Sequence, residues 1–265
     1  MEALMPGVRG RLITTSIRKN AIGLALAGAV ALTLSTSAWA DTTTIPNMTI
    51  EVGTASGGNS LFNPSDLGSS WGNPNGTFGF TGSTSNPGTG AGGWGLGWNL
   101  LVNPDPFIIA NLVVTNNSLM TETFELTVTM PIGMAFPFGT LIGGSVTGSL
   151  TDLNGNGATL GSVAGDSLYT ALLDGVAVAT LLDGPFSVSA GNFESQIVGP
   201  ASFGEPIPSE IGPAVMNTMA IRLRFTLSAG DAASFTSIFV VEDIPAPGVL
   251  ALFVLAGAAG RRRRR

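Results

Sequence analysis

The stretch TDLNGNGATLG, residues 151–161, sets oxygen-bearing side chains at alternate positions. Asp152, Asn154 and Asn156, followed by Gly157, reproduce the D-x-[DN]-x-[DN]-G opening of a calcium loop. In such a loop alternate oxygens converge on a hard cation and the glycine permits the sharp turn. The bidentate glutamate that closes it belongs at position 163, where this chain has Val163. The pattern therefore reads either as half of a Ca2+ site on Asp152, Asn154 and Asn156 or as an Asn/Gly-rich turn, and the turn reading leads.

Other chemistry is narrowly bounded. The chain has no His and no Cys, and its one lysine is Lys19, so Ser-His-Asp and Cys-His arrangements are excluded and the body has no amine base. A pair of carboxylates, as in glycoside hydrolysis, is what remains. Yet Asp166, Asp174, Asp183 and Asp231 sit beside glycines in turns, and Glu125 alternates outward on a strand, positions that read as solvated. No catalytic residue is assigned and the chain reads as a non-enzyme. Aromatic residues are the remaining candidates, because a flat ring offers a platform for the apolar face of a sugar. Trp94 and Trp98 alternate with Leu96 and Leu100 and read as core, with Phe78 and Phe80 nearby. Trp71, in SSWGNPNG, is the better carbohydrate candidate, beside the reading that it packs within its own loop, which leads.

The elements that must position these residues are strands. In TFELTVTMPI, Phe124, Leu126, Val128 and Met130 alternate with polar residues, and in MAIRLRFTLSA Met219, Ile221, Leu223, Phe225 and Leu227 do the same. That period of two makes one face apolar and the other wet. Asp174-Gly175 and Asp183-Gly184 punctuate ALLDGVAVATLLDGPFSVS as two tight turns, implying a three-stranded meander. Further strands are expected at MTIEV, WGLGWNLL, PFIIANLVVTN, GSVTGSLTD and SFTSIFVVED. Nine or ten such strands without an amphipathic helix predict an all-β, antiparallel β-sandwich over residues 41–243, with a jelly roll as the alternative. Residues 53–93, rich in Gly, Ser and Asn, read as long irregular loops.

Charge separates this body from its ends. Sixteen of the seventeen acidic residues lie between Asp41 and Asp243 against two arginines, Arg222 and Arg224, a net charge near −14. Such a surface repels nucleic acid and anionic lipid heads. Residues 1–40 have the order of a secretory signal: basic residues to Lys19, the apolar AIGLALAGAVALTL, then an A-x-A site formed by Ala38 and Ala40. Translation from Met5 instead of Met1 changes nothing downstream. Export without cysteine means that stability rests on the core rather than on disulfides.

The segment 244–265 has three parts: Pro245-Ala246-Pro247-Gly248, the apolar stretch Val249–Gly260, and five arginines, Arg261–Arg265. As a helix, twelve residues span ~18 Å against a hydrocarbon core of ~30 Å, so the stretch suits a transient membrane hold. This order resembles the PEP-CTERM sorting signal, in the Pro-Ala-Pro-Gly form of planctomycete-type bacteria. The resemblance implies handling by an exosortase-type sorting enzyme near the Pro motif. It further implies an exported cell-envelope or matrix protein of a Gram-negative-type bacterium, associated with extracellular polysaccharide. A carbohydrate-binding module, calcium-assisted or not, is the second reading.

Overall fold

A computed structural model describes residues 44–88 and 93–244. The signal segment with Ala38 and Ala40, the motif Pro245–Gly248 and the apolar stretch behind it, along with the helices expected at both ends, lie outside the described residues.

Sixteen strands follow one another. They are β1 (Thr49–Thr54), β2 (Gly58–Phe62), β3 (Gly68–Gly72), β4 (Phe78–Asn86), β5 (Trp94–Asn103), β6 (Phe107–Asn116), β7 (Glu122–Pro131) and β8 (Thr140–Thr151). After them come β9 (Ala158–Gly161), β10 (Tyr169–Leu173), β11 (Val176–Leu181), β12 (Ser187–Ala190), β13 (Ser195–Phe203), β14 (Glu210–Gly212), β15 (Thr218–Leu227) and β16 (Ala232–Asp243). They form two antiparallel sheets of eight strands. Sheet A runs β11-β10-β15-β7-β1-β2, with β9 also on β15 and β12 on β9. Sheet B runs β13-β8-β16-β6-β5-β4-β3, with β14 also on β8.

The two sheets face each other across one apolar core, as in a β-sandwich. The side chains expected to point inward on β7 and β15 are all buried, as are Trp94, Leu96, Trp98 and Leu100 of β5. Contacts between the sheets are direct. Phe225 of sheet A lies 4.9 Å, centroid to centroid, from Phe235 of sheet B. Phe62 of β2 lies 5.3 Å from Trp98 of β5. Tyr169 of β10, fully buried, donates from its hydroxyl to the Ile238 carbonyl of β16 at 2.9 Å, and its burial pushes the phenol pKa upward.

Two sequence expectations are corrected. Residues 53–93 are not irregular loops, because β2, β3 and β4 lie within them. Their glycines seat aromatic rings rather than break the chain. A Cβ on Gly82 would lie 2.5 Å from Cζ2 of Trp98, and one on Gly79 2.3 Å from Cε2 of Trp71. Small residues let both indoles lie against the β4 backbone, so a composition that reads as loop is a strand with rings packed on it. Second, the Asp-Gly pairs are unlike. Asp174 and Gly175 both take positive φ, 49° and 79°, and close the β10–β11 hairpin. At Asp183-Gly184 the positive φ belongs to Leu182, and β12 leaves its expected neighbour to pair with β9.

Candidate functional site

The loop between β8 and β9 carries the calcium-loop pattern. Asp152 is buried there, and its carboxylate already has partners. Oδ1 accepts the N–H groups of Asn154 at 3.3 Å and Gly155 at 3.1 Å, and Oδ2 accepts that of Phe193 at 2.6 Å. Desolvation would raise its pKa, but these backbone donors, with that of Gly157, hold it below the ordinary aspartate value. Asn154 donates to the Ala229 carbonyl at 2.8 Å and accepts the Asn156 N–H at 3.1 Å, while Asn156 is exposed. The Asp152 and Asn154 side chains are thus each engaged by backbone groups, their own loop's and those of neighbouring loops. Among the described residues no group of three or more His, Cys, Asp or Glu is arranged to hold a metal ion.

What the fold brings to Asp152 is Asp231, which sequence reading placed in solvent and which is completely buried. Asp231 accepts the Leu153 N–H at 3.4 Å and the Ser228 hydroxyl. Its pKa is raised, first by desolvation and then in part by the neighbouring Asp152. Beside the pair, buried Asn116 donates to the carbonyls of Met120, Leu227 and Ser228 at 2.9–3.0 Å and accepts the Ser118 N–H at 3.0 Å. This end of the sandwich is closed by a polar network that ties four loops together. Asp174, at the other end, is exposed but also engaged, accepting the N–H groups of Met216, Asn217 and Thr218 at 2.7–2.9 Å.

The outer faces of the two sheets differ in chemistry. On sheet A, Gly53 pairs with both Asn59 and Glu125, and Glu125 with Arg224, leaving a shallow groove of about 220 Å³ that Glu51 also lines. Both carboxylates are engaged there. Asn59 donates to Glu51 at 3.0 Å. Arg224 lies between Glu125, with Nε 3.3 Å from Oε2, and Asp166. That short Nε contact is electrostatic, since Nε is buried without an aligned hydrogen bond.

Sheet B presents an outer face without charge until Glu242 at its far end. Strand register places Ser69, Thr81, Asn99, Asn111, Thr236 and Thr147 in one row across β3, β4, β5, β6, β16 and β8. All six are exposed. At ~4.8 Å between neighbouring strands the row is ~24 Å long. Thr236 donates to Asn111 Oδ1 at 2.8 Å, and Asn111 donates to the Asn99 carbonyl at 3.3 Å. The adjoining row is Trp71, Gly79, Leu101, Ile109 and Ile238, in the same register. Trp71 is 51% exposed, and its indole lies flat over Gly79 at the edge of the face. Phe78 and Phe80 point the opposite way, into the core, as do Trp94 and Trp98.

Of the residues singled out from sequence, Trp71 is therefore on an open surface, while Asp152 and Asn154 fasten turns. The hydroxyl and amide row was not identified from the sequence. Its one-dimensional signal is the uncharged outward set of each strand, and the alignment between strands carries the rest. Neither protein-family models nor curated proteins yield a match to this chain.

Proposed function

We propose that this chain is an exported, non-catalytic protein of the cell envelope or extracellular matrix of a Gram-negative-type bacterium, and that its sandwich adheres to extracellular polysaccharide. Its address is read from residues 1–40 and 244–265, with an exosortase-type enzyme acting near Pro245-Ala246-Pro247-Gly248 and Val249–Gly260 making transient contact with the membrane. The single observation that carries the adhesive reading is the exposed, charge-free row on sheet B beside Trp71. In a body with sixteen acidic residues and two arginines, that face offers neutral donors and acceptors to sugar hydroxyls and a ring to a sugar's apolar side. No ion has to be desolvated when a neutral polymer settles on it.

Two measurements test the reading. Purified protein is incubated with insoluble polysaccharides, with and without chelator; retention is expected, and Thr236→Glu, which places a charge in the row, is expected to weaken it about tenfold, equivalent to ~1.4 kcal/mol. Retention that chelator abolishes favours the calcium-assisted module on Asp152, Asn154 and Asn156. No retention on any polysaccharide refutes the adhesive reading. Intact mass of the protein from its host addresses sorting, and a mature form that still ends in Arg265 refutes processing.

A further inference from the structure

We infer that the apolar stretch Val249–Gly260, with Arg261–Arg265 behind it, docks back onto the end of the sandwich from which it leaves, covering the apolar side chains exposed there. This goes beyond the proposed function and does not depend on a glycan.

The surface is built by the β7–β8 loop, by β14 and by the loop from β14 to β15. It exposes Met134 (51%), Phe138 (72%), Ile211 (80%) and Met216 (53%). Backbone pairing draws them together. Phe136 and Val215 exchange hydrogen bonds of 2.8 and 3.2 Å across the two loops, and Thr140 has Gly212 as neighbour on one side and Asp243 on the other. Large exposed apolar residues held close together mark a contact surface rather than scattered exposure.

The occupant follows from where the chain goes. Ile244, the last described residue, donates its N–H to the Gly139 carbonyl at 3.5 Å, one residue from Phe138. Four residues, Pro245 to Gly248, separate it from Val249. Five Cα steps reach at most ~17 Å, so the tether keeps the start of the apolar stretch within reach of the patch. As a helix it would be ~18 Å long, enough to lie across the end of two sheets packed ~10 Å apart.

Charge matches as well. Glu205, Glu210, Glu242 and Asp243 are exposed around the same end, and none of them is ion-paired among the described residues. The two arginines of the body lie on the outer face of sheet A, away from this end. Five terminal arginines therefore meet an acidic rim, and an apolar stretch meets an apolar centre. Anionic lipid heads would meet repulsion from the same carboxylates. The short tether makes the intramolecular contact the favoured one.

Methionine oxidation in the full chain reads the contact, because sulfoxide formation follows exposure. Met120, 57% exposed in the loop at the opposite end of β7, is the free reference, and fully buried Met48 and Met130 report that the fold is intact. With the tail docked in about four molecules of five, Met134 and Met216 oxidise about fivefold more slowly than Met120. The double variant Leu252→Asp, Leu255→Asp, and the change of all five terminal arginines to Gln, each bring them up to the Met120 rate while Met48 and Met130 stay unoxidised. High salt weakens the protection. Equal rates at Met134, Met216 and Met120 in the unaltered chain overturn the inference. So does protection that disappears on dilution, which assigns the surface to a second copy, or protection that appears only with vesicles, which assigns it to lipid.

Discussion

Gly79→Ala separates the Trp71 platform from the stability of the sandwich. A Cβ at this position would sit 2.3–2.5 Å from Cε2, Nε1 and Cζ2 of Trp71, so the indole must tip off the sheet. It is free to do so, being half exposed on the edge strand β3. A Trp buries ~200 Å² or more when fully covered, so the covered half of Trp71 amounts to ~100 Å² or ~2.5 kcal/mol at ~25 cal/mol per Å². Tipping forfeits about half of that, ~1.3 kcal/mol, and replacing a strand glycine returns ~0.5–1 kcal/mol. The net cost of ~0.5 kcal/mol lowers Tm by ~1–2 °C in a domain of this size. Adhesion falls much more, about tenfold for a lost stacking contact of ~1.4 kcal/mol. Retention isotherms on a polysaccharide that the unaltered protein binds measure the second effect. In the form that has lost residues 1–40, and Trp39 with them, iodide quenching follows the indole itself, since Trp94 and Trp98 are only 3% exposed. Trp71→Ala should weaken adhesion to a similar degree, and the double variant no further, because both changes remove one contact. Unaltered adhesion in Gly79→Ala, with the indole shown to have moved, would refute the platform argument. A Tm drop of ten degrees or more would refute the estimate that the ring moves freely.

The buried aspartates make stability depend on pH with opposite signs. Asp231, raised first by burial and then in part by Asp152, contributes stability that is complete below the ordinary aspartate pKa of ~3.9 and is lost as pH rises through its higher folded value; Asp231→Asn removes that decline in urea midpoints taken across the acid-to-neutral range. Asp152, held low by backbone donors despite desolvation, contributes stability present above ~3.9 and lost as pH falls through its lower folded value, so Asp152→Asn flattens the curve on the acid side. Phe225→Ala, which empties a site between Phe124 and Phe235 at the junction of the two sheets, should cost ~3–5 kcal/mol by denaturant unfolding. Chelator should leave Tm unchanged within about one degree, because the Asp152 oxygens already accept three to four backbone N–H groups; a rise of several degrees on adding Ca2+ would show that the loop rearranges around the ion.

The division between what could be read along the chain and what could not has a physical origin. Alternation with a period of two is a local property, so the inward sets of β5, β7 and β15 were visible in the sequence, and the fold class followed from them. Net charge is additive, and the contrast between an acidic body and basic ends needed only counting. The Asp-Gly pairs show the limit of local signals. Asp174-Gly175 forms the hairpin that its residues favour, whereas Asp183-Gly184 does not, because β12 finds its partner in β9, more than twenty residues earlier. Glycine misled the reading of residues 53–93 because its local meaning is a break, while here its use is a close approach by Trp71 and Trp98. Sequence periodicity states which side of a strand a residue occupies but leaves its neighbours across the sheet open, since register depends on how distant segments pair. Ser69, Thr81, Asn99, Asn111, Thr147 and Thr236 become one surface only through that pairing, and Asp152 becomes half of an acidic pair only when Asp231 is buried beside it. Composition and alternation determined that this chain is an acidic, all-β body between two unlike ends; the tertiary structure decided which of its polar residues share a face and which close the fold.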